Sequence, residues 1–81
     1  MKMAFVLWED AADLDQYPWA EHEETFVYKP VLVEQIGYVL YDGEEGVVLT
    51  SSVFVDDSTV GCRTQIPRGM IRSITIIDDN D

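Results

Sequence analysis

Basic residues are scarce in this chain. Five lysines and arginines stand against 16 aspartates and glutamates, giving a formal charge of −11 over 81 residues. Binding to nucleic acid depends on neutralising phosphates with Lys and Arg, so this balance argues against general binding to a duplex. It favours solubility, repulsion from anionic surfaces and docking on a basic protein. Cysteine is nearly absent as well. Cys62 is alone, which excludes an internal disulfide and suits a reducing compartment. No run reaches about 18 apolar residues, so no membrane-spanning helix is expected. The start, Met1 to Asp10, carries one lysine and too short an apolar run for a signal peptide. A cytoplasmic protein is the expectation.

Histidine is equally thin. His22 is the single one, set in the acidic run Glu21-His22-Glu23-Glu24. A catalytic triad or a histidine-based metal site needs partners that the sequence does not mark. The carboxylates cluster at turns and ends, and none follows the spaced loop with a terminal Glu that holds calcium. A carboxylate pair for glycoside hydrolysis needs an enclosed cleft, and a domain of this size offers little. No enzyme, cofactor or metal is therefore expected.

What is present reads as strands. Met3 to Trp8 is apolar and rich in strand formers. Residues 11 to 24 break all periodicity, with room for a short helical turn near Asp10 to Leu14 before Pro18 stops it. Thr25 to Tyr28 is a short strand-like run. Val31 to Tyr41, Val47 to Val55, Val60 to Ile66 and Ile71 to Ile77 follow, separated by the turns Asp42 to Gly46 and Asp56 to Thr59. Gly37 lies inside the longest run, where a glycine marks a bulge or bend. Pro67-Arg68-Gly69 is too short for an ordinary hairpin loop and suits one turn of 3₁₀-helix, with Gly69 expected at positive φ.

The expected fold is thus all-β, a five-stranded, strongly bent small barrel. It has a 3₁₀ corner before the last strand and a long N-terminal loop. A single domain spans residues 1–77, and 78–81 form an acidic tail. Alternation along Val60 to Ile66 places Cys62, Thr64 and Ile66 on the core face, and in the last strand Ile74 and Ile76. The middle strands carry apolar residues on both faces, which calls for a second cover: the N-terminal loop or another subunit.

Arg68-Gly69-Met70-Ile71-Arg72-Ser73-Ile74 resembles the second motif of Sm-like proteins, where an Arg-Gly turn joins the last two strands. Gly37-Tyr38-Val39-Leu40 followed by Asp42 resembles the first. This resemblance, from Val31 to Ile77, implies an SH3-like or Sm-like barrel and assembly into a homo-oligomer. The uracil-binding Asn of many Sm proteins is absent, with Gly46 near its place. The overall texture is similar to small uncharacterised phage and prophage proteins, some of which act against host defences.

Two binding sites compete. In the first, an acidic surface made of Asp13, Asp15, Tyr17, Trp19, Glu21, Glu23 and Glu24, with the turns at 42–45 and 56–57, docks on a basic protein partner. Tyr and Trp are residues enriched in binding hot spots. In the second, Arg63, Arg68 and Arg72, three of the five basic residues, gather around the Gly69 corner. There a guanidinium fork and backbone N–H groups would hold a small anionic ligand such as a signalling nucleotide. The bland counterpart is that these arginines pair with the surrounding carboxylates. A structural module without a ligand is the third possibility.

Overall fold

A computed structural model describes residues 1–12, 19, 21 and 26–79. The described chain is all-β. Strand β1 (Lys2–Asp10) is followed by β2 (Val31–Asp42), β3 (Gly46–Val53) and β4 (Val60–Pro67). A 3₁₀ corner (Arg68–Met70) leads into β5 (Ile71–Asp79). One five-stranded antiparallel sheet results, in the order β4-β3-β2-β1-β5. Strands β4 and β5 do not pair with each other, so the sheet is open along that side.

The core is small. Val6, Val47, Leu49 and Ile66 are fully buried, with Trp8, Val39, Ile71 and Ile74 packed around them. Each full burial stabilises by about 1.5–3 kcal/mol. Register explains the grouping. Val6 stands opposite Ile74, Leu49 opposite Val39, and Ile66 opposite Val47, so the same-face residues of neighbouring strands meet. Half-buried Trp8 donates its indole N–H to Gln35 Oε1 at 3.2 Å, which satisfies the polar end of an otherwise apolar ring. Buried Thr50 is likewise satisfied, its hydroxyl donating to the Gly61 carbonyl at 2.6 Å.

Gly37 matters through close approach. A Cβ there would lie 2.9 Å from the Thr50 carbonyl oxygen and 3.2 Å from Leu49 Cβ, so β3 occupies the space a side chain would need. Just beyond, a register shift between Val39 and Tyr41 leaves Leu40 as the extra residue, the bulge that the interior glycine announces.

Several expectations need correcting. Cys62 is exposed, not core. Its φ of 57° takes β4 out of extended backbone at that point and breaks the alternation on which the core assignment rested. Thr64 is half-buried, and only Ile66 of that set reaches the core. Ile76 is exposed although Ile74 packs on the core. The bulge that absorbs Ile77 between Ile76 and Asp78 falls beside it. Gly69 does not have positive φ, and a Cβ there would meet nothing within 4 Å. Phe26 to Tyr28 belong to no strand. Strand β3 stops at Val53, where Phe54 and Thr59 close a turn through Phe54 N–H to Thr59 O at 2.8 Å. Strand β5 runs through Asp79, because Met3 and Lys2 of β1 supply partners for Asp78 and Asp79. Of the helical turn expected near Asp10 to Leu14, Asp10 is the last residue of β1, Ala11 and Ala12 are in no helix, and Asp13 and Leu14 lie outside the described residues.

Candidate functional site

The Asp42–Gly46 turn and the Arg68 corner form one unit. Gly43 N–H donates to Gly46 O at 3.0 Å, closing the turn between β2 and β3. Arg68 N–H donates to Glu45 O at 3.0 Å. The Arg68 guanidinium pairs with Asp42 and donates to the carbonyls of Gly43 and Gly46. Gly46 lies so close to the corner that a Cβ would sit 3.1 Å from the Ile66 carbonyl carbon and nearer still to its oxygen. Arg68 therefore clamps two turns together. Its donors face backbone carbonyls and a carboxylate.

Arg72 is engaged in the same manner. It forms an ion pair with Glu9, whose carboxylate also accepts from the Tyr28 hydroxyl. Arg63 differs. Among the described residues its side chain has no hydrogen bond or ion pair, and it borders an open cleft with Val48 and Gln65. No described cleft is lined by more than one of the three arginines. Proximity in sequence does not become proximity of free guanidinium groups, because alternation and the corner send the side chains to different partners. Gly69 lines a cleft with Glu9, Asp10, Ala11, Tyr28 and Met70.

Of the acidic-surface residues, Trp19 and Glu21 are described and both are exposed, Trp19 to 88%. Asp13, Asp15, Tyr17, Glu23 and Glu24, with His22, lie outside the described residues. The end of β1 and the two residues after it add a feature that the sequence pattern hid. Glu9, Asp10, Ala11 and Ala12 meet Phe26, Tyr28 and Lys29 around a cleft of about 300 Å³. Both rings are 68% exposed. The signal was the aromatic pair itself, which strand propensity assigned to a short strand-like run instead.

The Asp56–Thr59 turn carries the clearest electrostatic perturbation. The Thr59 backbone N–H donates to Asp57 at 3.0 Å and holds that carboxyl below the usual aspartate range. Ser58 sits at φ 61° inside this turn. Among the described residues no cluster of His, Cys, Asp and Glu is arranged to hold a metal ion, and no helix is long and apolar enough to cross a membrane. Comparison with known proteins finds no matching family model, no matching curated protein and no matching solved structure.

Proposed function

We propose that this chain is a non-enzymatic binding protein that docks an acidic, aromatic surface on a basic segment of a protein partner. The observation that carries it is the cleft where Asp10 lies with the exposed rings of Phe26 and Tyr28, bordered also by Lys29 and by Glu9, which is already paired with Arg72. Large exposed aromatics beside carboxylates suit arginine and lysine side chains, which stack on ring faces and are drawn by negative charge. Trp19 and Glu21, both exposed, are of the same chemistry. The net charge of −11 steers a cationic partner to the molecule. The likeness to phage and prophage proteins supports a host-cell cytoplasmic setting and an anti-defence role.

The test is titration with an arginine-rich peptide, followed calorimetrically at rising salt. Binding weakens as salt rises, since the contacts are ionic. Phe26→Ala with Tyr28→Ala reduces affinity about tenfold, within the range for cation–π and hot-spot contacts. Changing Asp13, Asp15, Glu21, Glu23 and Glu24 to their amides reduces it further. Affinity that is indifferent to salt and to both sets of changes would overturn the proposal.

A second reading, the homo-oligomer, has its own support. The strand order and the corner before the last strand fit a small Sm-like barrel, and the two unpaired edges, β4 and β5, are free to pair between copies. The three-arginine anion sink has less support, because Arg68 and Arg72 are already held by Asp42 and Glu9.

A further inference from the structure

Among the described residues, Arg63 is the arginine that neither turn nor carboxylate claims. Its place in the sheet gives it neighbours of another kind. On β4 it shares a face with Gln65, two residues on, at about 6.7 Å for an antiparallel strand. Gln65 stands opposite Val48 on β3, and Val48 stands opposite Tyr41 on β2. Two strand spacings put Tyr41 about 9.5 Å from Gln65 along the sheet. The face so defined runs guanidinium, amide, aliphatic floor, phenol ring.

Two adjoining clefts occupy this face. One, open to solvent, is lined by Val48, Arg63 and Gln65. The other holds about 160 Å³ and is lined by Tyr41, Glu45, Val48, Gln65 and Pro67, among others. Val48 and Gln65 line both, so the clefts are neighbours on this face. The Tyr41 ring lies over Gly43, whose missing side chain leaves room for it. That contact fixes where the ring is presented.

We propose that this face binds a mononucleotide, a phosphate joined through a sugar to a planar base. Arg63 takes the phosphate, because a guanidinium fork matches its oxygens and no carboxylate of this protein competes for it among the described residues. The base lies on Val48 against the Tyr41 ring, in the manner of bases stacked on aromatic side chains. The Gln65 amide, both donor and acceptor, reads the base edge. Glu45, at the end of the cleft away from Arg63, accepts only, so it favours bases that carry amino donors there. It also repels a phosphate, which orients the ligand with its anionic end toward Arg63. The inference is independent of the acidic docking surface, since it uses neither Phe26, Tyr28 nor the residue 13–24 loop.

The experiment titrates the full chain with GMP, AMP, CMP and UMP, with ribose 5-phosphate and inorganic phosphate as fragments, by NMR and calorimetry. At least one of the amino-bearing nucleotides binds more tightly than UMP and than either fragment. Arg63→Ala weakens that binding by about 10- to 100-fold, the range for a lost charge-assisted hydrogen bond. Tyr41→Leu weakens it and Tyr41→Phe keeps it, as a stacking role requires. Glu45→Gln narrows the preference over UMP. Phe26→Ala with Tyr28→Ala leaves it unchanged, so failure here and failure of the docking surface are read separately. Arg63 and Tyr41 are exposed, and circular dichroism confirms that their variants fold. Three results overturn the proposal: no mononucleotide binding at millimolar concentration, inorganic phosphate binding as tightly as any nucleotide, or binding indifferent to Arg63→Ala.

Discussion

At the scale of single residues, the two glycines of the corner region have opposite roles. Gly46 is buried, and a Cβ there runs into the backbone of Ile66, which cannot give way without disturbing the β3–β4 pairing. Gly46→Ala is expected to destabilise by about 1–3 kcal/mol, as overpacking does. Gly69 has no positive φ and open space around it, so Gly69→Ala stays within about 0.5 kcal/mol of the parent. Thermal or urea unfolding of both variants checks the pair, and equal losses would contradict this account. Cys62 gives a second prediction. Its thiol is exposed, so it reacts with a thiol reagent in the native protein at the rate of an accessible cysteine. Its left-handed backbone is tolerated by Asn but not by a β-branched residue. Cys62→Val should therefore lower the Tm and Cys62→Asn should not.

At the scale of elements, turns hold this sheet in register. The β2–β3 turn is tied to the corner before β5 by Arg68, and the β3–β4 turn is tied internally by Asp57 and Thr59. The second tie is pH-dependent. Folding lowers the Asp57 pKa, chiefly through the Thr59 backbone N–H. A carboxyl depressed in the folded state stabilises fully above its unfolded pKa of about 3.9, and that contribution is lost as pH falls through the lower folded value. Amide exchange at Thr59, compared with a buried β1 amide, should therefore accelerate selectively as pH falls below about 4, after correction for intrinsic exchange. Asp57→Asn should remove the pH-dependent component. A Thr59 amide that tracks the β1 amide throughout would contradict this.

At the scale of the whole molecule, the sheet exposes more than a lone 9.2 kDa domain usually leaves uncovered. Leu32, Ile36, Leu40 and Tyr41 of β2 are exposed, and Ile36 stands beside half-buried Phe5 of β1. Ile76 and Ile77 of β5 add to this, and both β4 and β5 have an unpaired side. Association through these edges and faces is expected at micromolar concentration. Sedimentation velocity across a concentration series checks it. A single species of 9.2 kDa at every concentration would rule it out.

The strand content was legible from the residues alone. Alternating and β-branched runs marked all five strands to within a residue or two, and Pro67-Arg68-Gly69 marked, one residue early, the 3₁₀ corner that lies at Arg68–Met70. These features depend on local propensity and on periodicity, which a chain carries wherever it folds. Partnership was not legible. Whether Arg68 and Arg72 face a ligand or a carboxylate depends on which turn lies across from them, and Asp42 and Glu9 are 26 and 63 residues away in sequence. The tertiary structure decided that these two are held and that Arg63 has no described partner. It also decided that Cys62 leaves the core, because one residue at positive φ overturns an alternation that sequence can only extrapolate. Phe26 and Tyr28, strand formers by type, join no strand and stand exposed beside Glu9 and Asp10, a placement that propensity alone does not give.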